Sequence, residues 1–142
     1  MFQSILMPVD LAAGSGWARQ VKVACELARP SSAQLHALVV VPDFGMAIVG
    51  SYFDKSFEQS ALSKAQTEID DFAAREVSSD VICQGHVAHG TIYDEILNAA
   101  DKLNCDAIVV AAHRPGFKDY LLGSNAARVV RHAKQSVVIV RD

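Results

Sequence analysis

"CDAIVVAA", residues 105–112, is the most continuous apolar run of the chain. A strand with one face in water alternates apolar and polar side chains. A strand covered on both faces need not alternate, and such strands lie at the centre of parallel sheets. Residues 105–112 are therefore expected to form the spine of an α/β sheet with helices on both faces.

Outward from this run, short apolar segments alternate with longer segments of helical period, the sequence form of βαβ units. On the C-terminal side, Ser124 to Lys134 has helical spacing in Ala127 and Val130, and "SVVIVRD" (136–142) closes the chain as a fifth strand. On the N-terminal side, "TIYDEILNAADKLN" (91–104) predicts a third helix with Ile92, Ile96, Leu97 and Ala100 inward, started by Thr91 or Gly90. "DVICQGHVAHG" (80–90) precedes it as a third strand. From Lys55 to Val77 the positions Phe57, Ala61, Leu62, Ala65, Ile69 and Phe72 keep a stripe that predicts a long amphipathic second helix. "DFGMAIVGSYF" (43–53) is apolar and irregular. "AQLHALVVV" (33–41) reads as the second strand, ended by Pro42. Ser15 to Arg29 predicts the first helix, with Trp17, Val21, Ala24, Cys25 and Ala28 inward and Pro30 as its stop. "QSILMPV" (3–9) is the first strand.

The chain of 142 residues, 51% hydrophobic and 20% charged, suits one compact domain over 1–142. A net charge of −3 opposes a general nucleic-acid surface, which needs clustered cations to displace counterions from phosphates. Cys25, Cys83 and Cys105 have no CxxC spacing and lie within apolar patterns, so neither a zinc site nor a disulfide framework is expected. The start "MFQSILMPVD" lacks the basic end and long apolar run of a signal peptide, and a cytoplasmic protein with no membrane span is expected.

Chemistry on an open parallel sheet gathers beyond the carboxyl ends of its strands, where helix N-termini present unpaired N–H groups. "PVD" (8–10), "VVP" (40–42) and the 111–126 segment fall there together. Phosphate suits the last of these. Gly123 permits close backbone approach, Ser124 offers a hydroxyl, and the N–H groups of Asn125 and Ala126 would start the following helix. Residues 111–134 also carry Arg114, Lys118, Arg128, Arg131 and Lys134 against one acid, Asp119. The plainer alternative is that Ser124 is a helix cap and the cations are solvated.

Asp10 could accept hydrogen bonds from ribose hydroxyls, cap the first helix, or be a charge held by a turn. Pro8 needs its missing N–H excused by a strand end. His113 could face a phosphate or satisfy a loop carbonyl, while His36, His86, His89 and His132 show no metal-ligand spacing. There is no Walker A sequence, no GxGxxG after the first strand and no GxSxG, and no nucleophile–base pair can be argued. No catalytic residue and no metal ligand is assigned.

"DAIVVAAHRPGFKDYLLGSNAARVVRHAKQSVVIVRD" (106–142) resembles the C-terminal signature of the universal stress protein family, and "ILMPVD" (5–10) resembles its first strand. The match extends to "HGTIYDEILNAA" and is absent over 43–79. "HRP" followed by "YLLGSNAA" and "VVRHA" is similar to a subgroup of small, single-domain bacterial members. The resemblance implies a doubly wound, Rossmann-like three-layer α/β sandwich, a five-stranded parallel sheet of order 3-2-1-4-5, and a homodimer through the last strand. Many members bind ATP through a Gly-two-residues-Gly, nine residues, Gly-Ser/Thr pattern. Here Ala111 stands at the first Gly and Arg114 near the second, with eight residues before Gly123, so the loop is one residue short.

Carried over residue by residue, the resemblance implies that Pro8, Val9 and Asp10 border adenine and ribose and that Val40 packs on the base. Val110 and Ala111 would form the pocket floor, and His113, Arg114, Gly123, Ser124, Asn125 and Ala126 would meet the phosphates. The expected function is an ATP-binding stress-response sensor or regulator, with ATP bound alone or with magnesium and hydrolysis slow or absent. The alternative is a dimeric protein-interaction module of the same fold whose pocket holds no nucleotide. A phospho-receiver reading is discounted, because "VAHG" (87–90) supplies no phosphoacceptor Asp at the end of the third strand.

Overall fold

A computed structural model describes residues 1–12, 16–42, 55–112 and 120–141. Among these, five strands, β1 (Ser4–Pro8), β2 (Gln34–Pro42), β3 (Cys83–Gly90), β4 (Ala107–Ala112) and β5 (Ser136–Arg141), form one parallel sheet of order 3-2-1-4-5. Four helices of the described residues, α1 (Ala18–Ala28), α2 (Lys55–Glu76), α3 (Ile92–Lys102) and α4 (Tyr120–His132), complete a doubly wound, three-layer α/β sandwich. The expected fold class and strand order are the observed ones.

Because successive side chains of a strand face opposite sides, the apolar runs of β1 and β4 feed two separate cores. Ile5, Met7, Ala107 and Val109 pack with Val21, Ala24, Cys25 and Ala28 of α1 and Ile69 and Phe72 of α2. Leu6, Ile108 and Val110 pack with Ile96 and Ala100 of α3 and Ala126 and Val129 of α4. The Trp17 ring meets Phe72 edge-on with centroids 4.9 Å apart, which joins the start of α1 to α2. Burial on both sides is why 107–112 carries no polar alternation.

Boundaries depart from expectation where tertiary packing overrides local pattern. β3 begins at Cys83 rather than at residue 80, because Val81 N–H donates to the Ser78 carbonyl at 3.0 Å and closes a turn first. The apolar stripe of α2 is buried only from Ala65 onward, and Phe57 is 45% exposed. Pro30 follows α1 inside a 3-10 turn, Arg29–Ser31, which ends with Ser32 in the left-handed region at φ 52°. α4 begins at Tyr120, one turn ahead of the expected Ser124.

At the amino end of the sheet, β1 and β4 are tied by one side chain. The Asp106 carboxylate accepts from the Gln3 N–H at 2.9 Å and the Ser4 N–H at 3.1 Å. Burial pushes the thiol of Cys83 up to about 11 and that of Cys105 upward, so neither is an activated nucleophile at neutral pH.

On β2 and β3, Nδ1 of His36 lies 2.8 Å from Nε2 of His86, so one ring donates to the other. Burial lowers the pKa of both, His86 adding to the effect on His36 and Asp70 opposing it on His86. Unfolding returns both rings to water, so below the ordinary histidine pKa near 6.5 the unfolded chain binds more protons. Stability is thus fully present above that value and is lost as pH falls through the lowered, folded-state values. Thermal unfolding between pH 7.5 and 5 is expected to show a falling Tm, with a shallower fall in His36→Leu/His86→Leu. Equal slopes in the two proteins would contradict this assignment.

Candidate functional site

The β1–β4 register, Ile5↔Ala107 and Leu6↔Ile108, stops two residues before β1 ends. Gln34 N–H donates to Gln3 O, and Val9 N–H to Leu38 O at 2.8 Å, so odd-numbered residues of β1 bond toward β2 and residue 8 faces β4. Continued, the parallel ladder would require the N–H of residue 8 to serve the Val109 carbonyl. Residue 8 is proline and has no N–H. The two strand ends are therefore released from one another at the carboxyl edge of the sheet.

Gln20 fills the gap. Its side chain rises from α1, is 1% exposed, and donates through Nε2 to Pro8 O at 2.6 Å and to Val109 O at 2.9 Å. A single carboxamide nitrogen so satisfies two buried carbonyls that the sheet leaves open. Its Oε1 is buried without a hydrogen-bond partner. Gln20 was not among the expected site residues. Its signal was a polar residue at spacing i+3 from Trp17, on the apolar stripe of the first helix.

At the carboxyl ends of β1 and β2, beside the start of α3, a hollow of about 40 Å³ is lined by Pro8, Val9, Asp10, Leu38, Val39, Val40, Ile92 and Ile96. Four expected residues, Pro8, Val9, Asp10 and Val40, are thus brought together, with Ile92 and Ile96 of α3 as walls that were read only as core. Val110 and Ala111 are buried on the neighbouring β4 and are not part of this lining. Asp10 Oδ1 accepts the Ala12 N–H at 3.0 Å, so the turn role weighed for it is present. Gly90 ends β3 at φ +144°, where a Cβ would lie 2.9 Å from Glu95 Oε1, and Thr91 caps α3 without a side-chain bond.

The phosphate side differs more from expectation. His113 and Arg114 lie outside the described residues. Gly123, Ser124, Asn125 and Ala126 lie within α4, where an α-helix pairs each N–H with the carbonyl four residues back. The N–H groups free to meet an anion therefore belong to the first turn of α4, ahead of Ser124, instead of to Asn125 and Ala126. Ser124 is exposed and Ala126 is 4% exposed against the second core. The cation cluster is also divided. Arg128 stacks over Tyr93 at 5.0 Å, and Arg131 lies in the last turn of α4, toward the amino edge of the sheet where its charge complements the helix dipole.

The model of the universal stress protein family matches residues 1–141. Universal stress protein G of Shigella flexneri is 30% identical over 147 residues, covering 99% of this chain and 100% of its own. Among solved structures, a universal stress protein from Archaeoglobus fulgidus in complex with dAMP shares a TM-score of 0.63 at 18% identity, over 96% of each chain. A universal stress protein in complex with cAMP shares a TM-score of 0.64 at 22% identity, over 99% of this chain and 97% of its own. At these identities the two structures establish a shared fold. Both carry an adenine nucleotide. No helix of the described residues is long and apolar enough to cross a membrane.

The exchange of a backbone donor for a side-chain donor is testable by compensation. Gln20→Leu leaves the Pro8 and Val109 carbonyls without a donor and is expected to cost about 1–3 kcal/mol in urea unfolding. Pro8→Ala introduces an N–H at the position facing Val109. Combined with Gln20→Leu it is expected to recover about 1 kcal/mol, while alone, with Gln20 in place, it recovers nothing. Strictly additive effects of the two substitutions would contradict the exchange.

Proposed function

This chain belongs to the universal stress protein family, and we propose that it binds an adenine nucleotide, ATP foremost, at the carboxyl ends of β1 and β2, beside the point where β1 parts from β4. The observation that carries this reading is the hollow between the strand ends. Val40 and Ile92 offer an apolar wall to a base, the backbone of Val9 borders it, and Asp10 offers a carboxylate oxygen to ribose hydroxyls. About 40 Å³ holds one or two waters, so a base would occupy the mouth of the hollow rather than its floor. The triphosphate would run toward the 111–126 segment, with His113, Arg114, Ser124 and the first turn of α4 as its partners. Magnesium would travel with the phosphates.

Among the residues lining the hollow, Asp10 is the carboxylate, and it is engaged by the Ala12 N–H. The reading is of nucleotide-dependent regulation with turnover slow or absent, in a protein responding to stress from the cytoplasm as a single domain.

The second reading, a dimeric interaction module with an empty pocket, is favoured by the small size of the hollow. Both readings share a homodimer through β5. This edge strand carries Val137 and Val138 half-buried and Ile139 37% exposed, and its outer backbone groups would pair with a second copy. Ile139→Lys is expected to shift the sedimentation coefficient from dimer to monomer with the fold retained. An unchanged dimer would remove β5 from the interface.

Thermal unfolding with ATP, ADP, AMP and GTP, each with and without magnesium, separates the two readings. A ligand at a hundred times its dissociation constant adds about 2.7 kcal/mol, a rise of a few degrees for a domain of this size. A rise graded ATP over AMP and adenine over guanine, reduced at least tenfold in affinity by Asp10→Ala together with Ser124→Ala, is expected. No rise at several millimolar would leave the interaction module.

A further inference from the structure

We propose that Gln20 is the positioning residue of the nucleotide crevice, setting its affinity from behind the sheet without touching the ligand. The inference rests on the nucleotide reading of the hollow. Two backbone segments leave the Gln20 staple, one directly into the lining of the hollow and one along neighbouring β4. Pro8, whose carbonyl accepts from Nε2 at 2.6 Å, is followed by Val9 and Asp10, and Val109, bonded at 2.9 Å, is followed by Val110 and Ala111.

The β1–β4 ladder does not reach these ends. Their pairing stops at Leu6↔Ile108, and the Asp106 carboxylate that ties the same two strands acts at the opposite end of the sheet. Val9 is held laterally toward β2, through its N–H to Leu38 O, and so gains no hold on β4 from that bond. The separation of the Pro8–Asp10 segment, which borders the hollow, from Val110 and Ala111 on β4 is therefore set by the bite of one carboxamide. A side chain 1% exposed in a packed layer has little freedom to relax, so a change in its donor capacity is transmitted to the strand ends rather than absorbed.

The chemistry makes a specific demand. The position requires two N–H donors directed at two carbonyl oxygens, and an amide NH₂ supplies both. Methionine of similar length supplies none. Glutamate supplies none when ionised and one O–H when protonated, and its proton would be favoured there by burial and by the facing carbonyls. Donor capacity at position 20 can thus be titrated in Gln20→Glu without altering shape.

The experiment measures ATP and AMP affinity by calorimetry for the full chain with Gln20, Gln20→Met and Gln20→Glu at pH 5.5, 7 and 8.5. Circular dichroism at each pH confirms the fold. Gln20→Met is expected to weaken both ligands roughly tenfold or more at every pH, since two buried acceptors lose their donor. Relative to the parent at the same pH, Gln20→Glu is expected to match that loss at pH 8.5 and to regain affinity at pH 5.5. A role in stability alone would lower Tm without this pH-dependent ratio. Affinities in both variants equal to the parent's at every pH would overturn the positioning role and leave the nucleotide reading standing. Failure of the parent itself to bind either ligand at several millimolar would overturn both. If Gln20→Met does not fold, the pH-dependent ratio of Gln20→Glu decides alone.

Discussion

The arrangement depends on a donor that the backbone cannot supply. Proline at position 8 deprives the Val109 carbonyl of its ladder partner, and the Gln20 amide supplies that bond and a second to Pro8 O. An unpaired buried carbonyl costs about as much as a lost hydrogen bond. The proline and the glutamine are therefore a matched pair. One opens the sheet between its central strands, and the other prevents the opening from destabilising the core. The crevice of a doubly wound sheet lies where strand order reverses, between β1 and β4 here, so the matched pair stands at the place where the topology allows a ligand.

The same strands are fastened at one end and released at the other. Asp106 gathers two N–H groups at the amino end, while at the carboxyl end the hydrogen bonds pass through a side chain from another layer. Two apolar cores, one under α1 and α2 and one under α3 and α4, hold the sheet between the helical layers while its carboxyl edge stays available for chemistry.

Much of this was legible in the residues. The unbroken apolar run at 107–112, the alternation of apolar and helical segments, and the "GSNAA" signature led to the fold, its strand order and the family. Pro8, Val9, Asp10 and Val40 were expected at one site and do line one hollow. Gln20 was not legible, because its partners lie 12 residues behind and 89 residues ahead and both are backbone carbonyls, which leave no trace in sequence. The start of α4 was misread for a local reason. Gly-Ser resembles a helix boundary, but a Gly inside a helix costs only about 1 kcal/mol, and the helix runs through it from Tyr120. Arg128 was counted toward a phosphate, yet the ring of Tyr93 was already within its reach.

The central claim is that the hollow at the end of β1, beside its parting from β4, receives an adenine nucleotide. The most direct test is a ¹H–¹⁵N NMR titration of the labelled protein with ATP, read at the backbone amides and at the Gln20 side chain. Saturable shifts gathered at Val9, Asp10, Val40, Val110 and Ala111, with the Gln20 carboxamide responding in step, are the predicted result. Spectra unchanged at several millimolar ATP, or shifts confined to surfaces away from these residues, would contradict it.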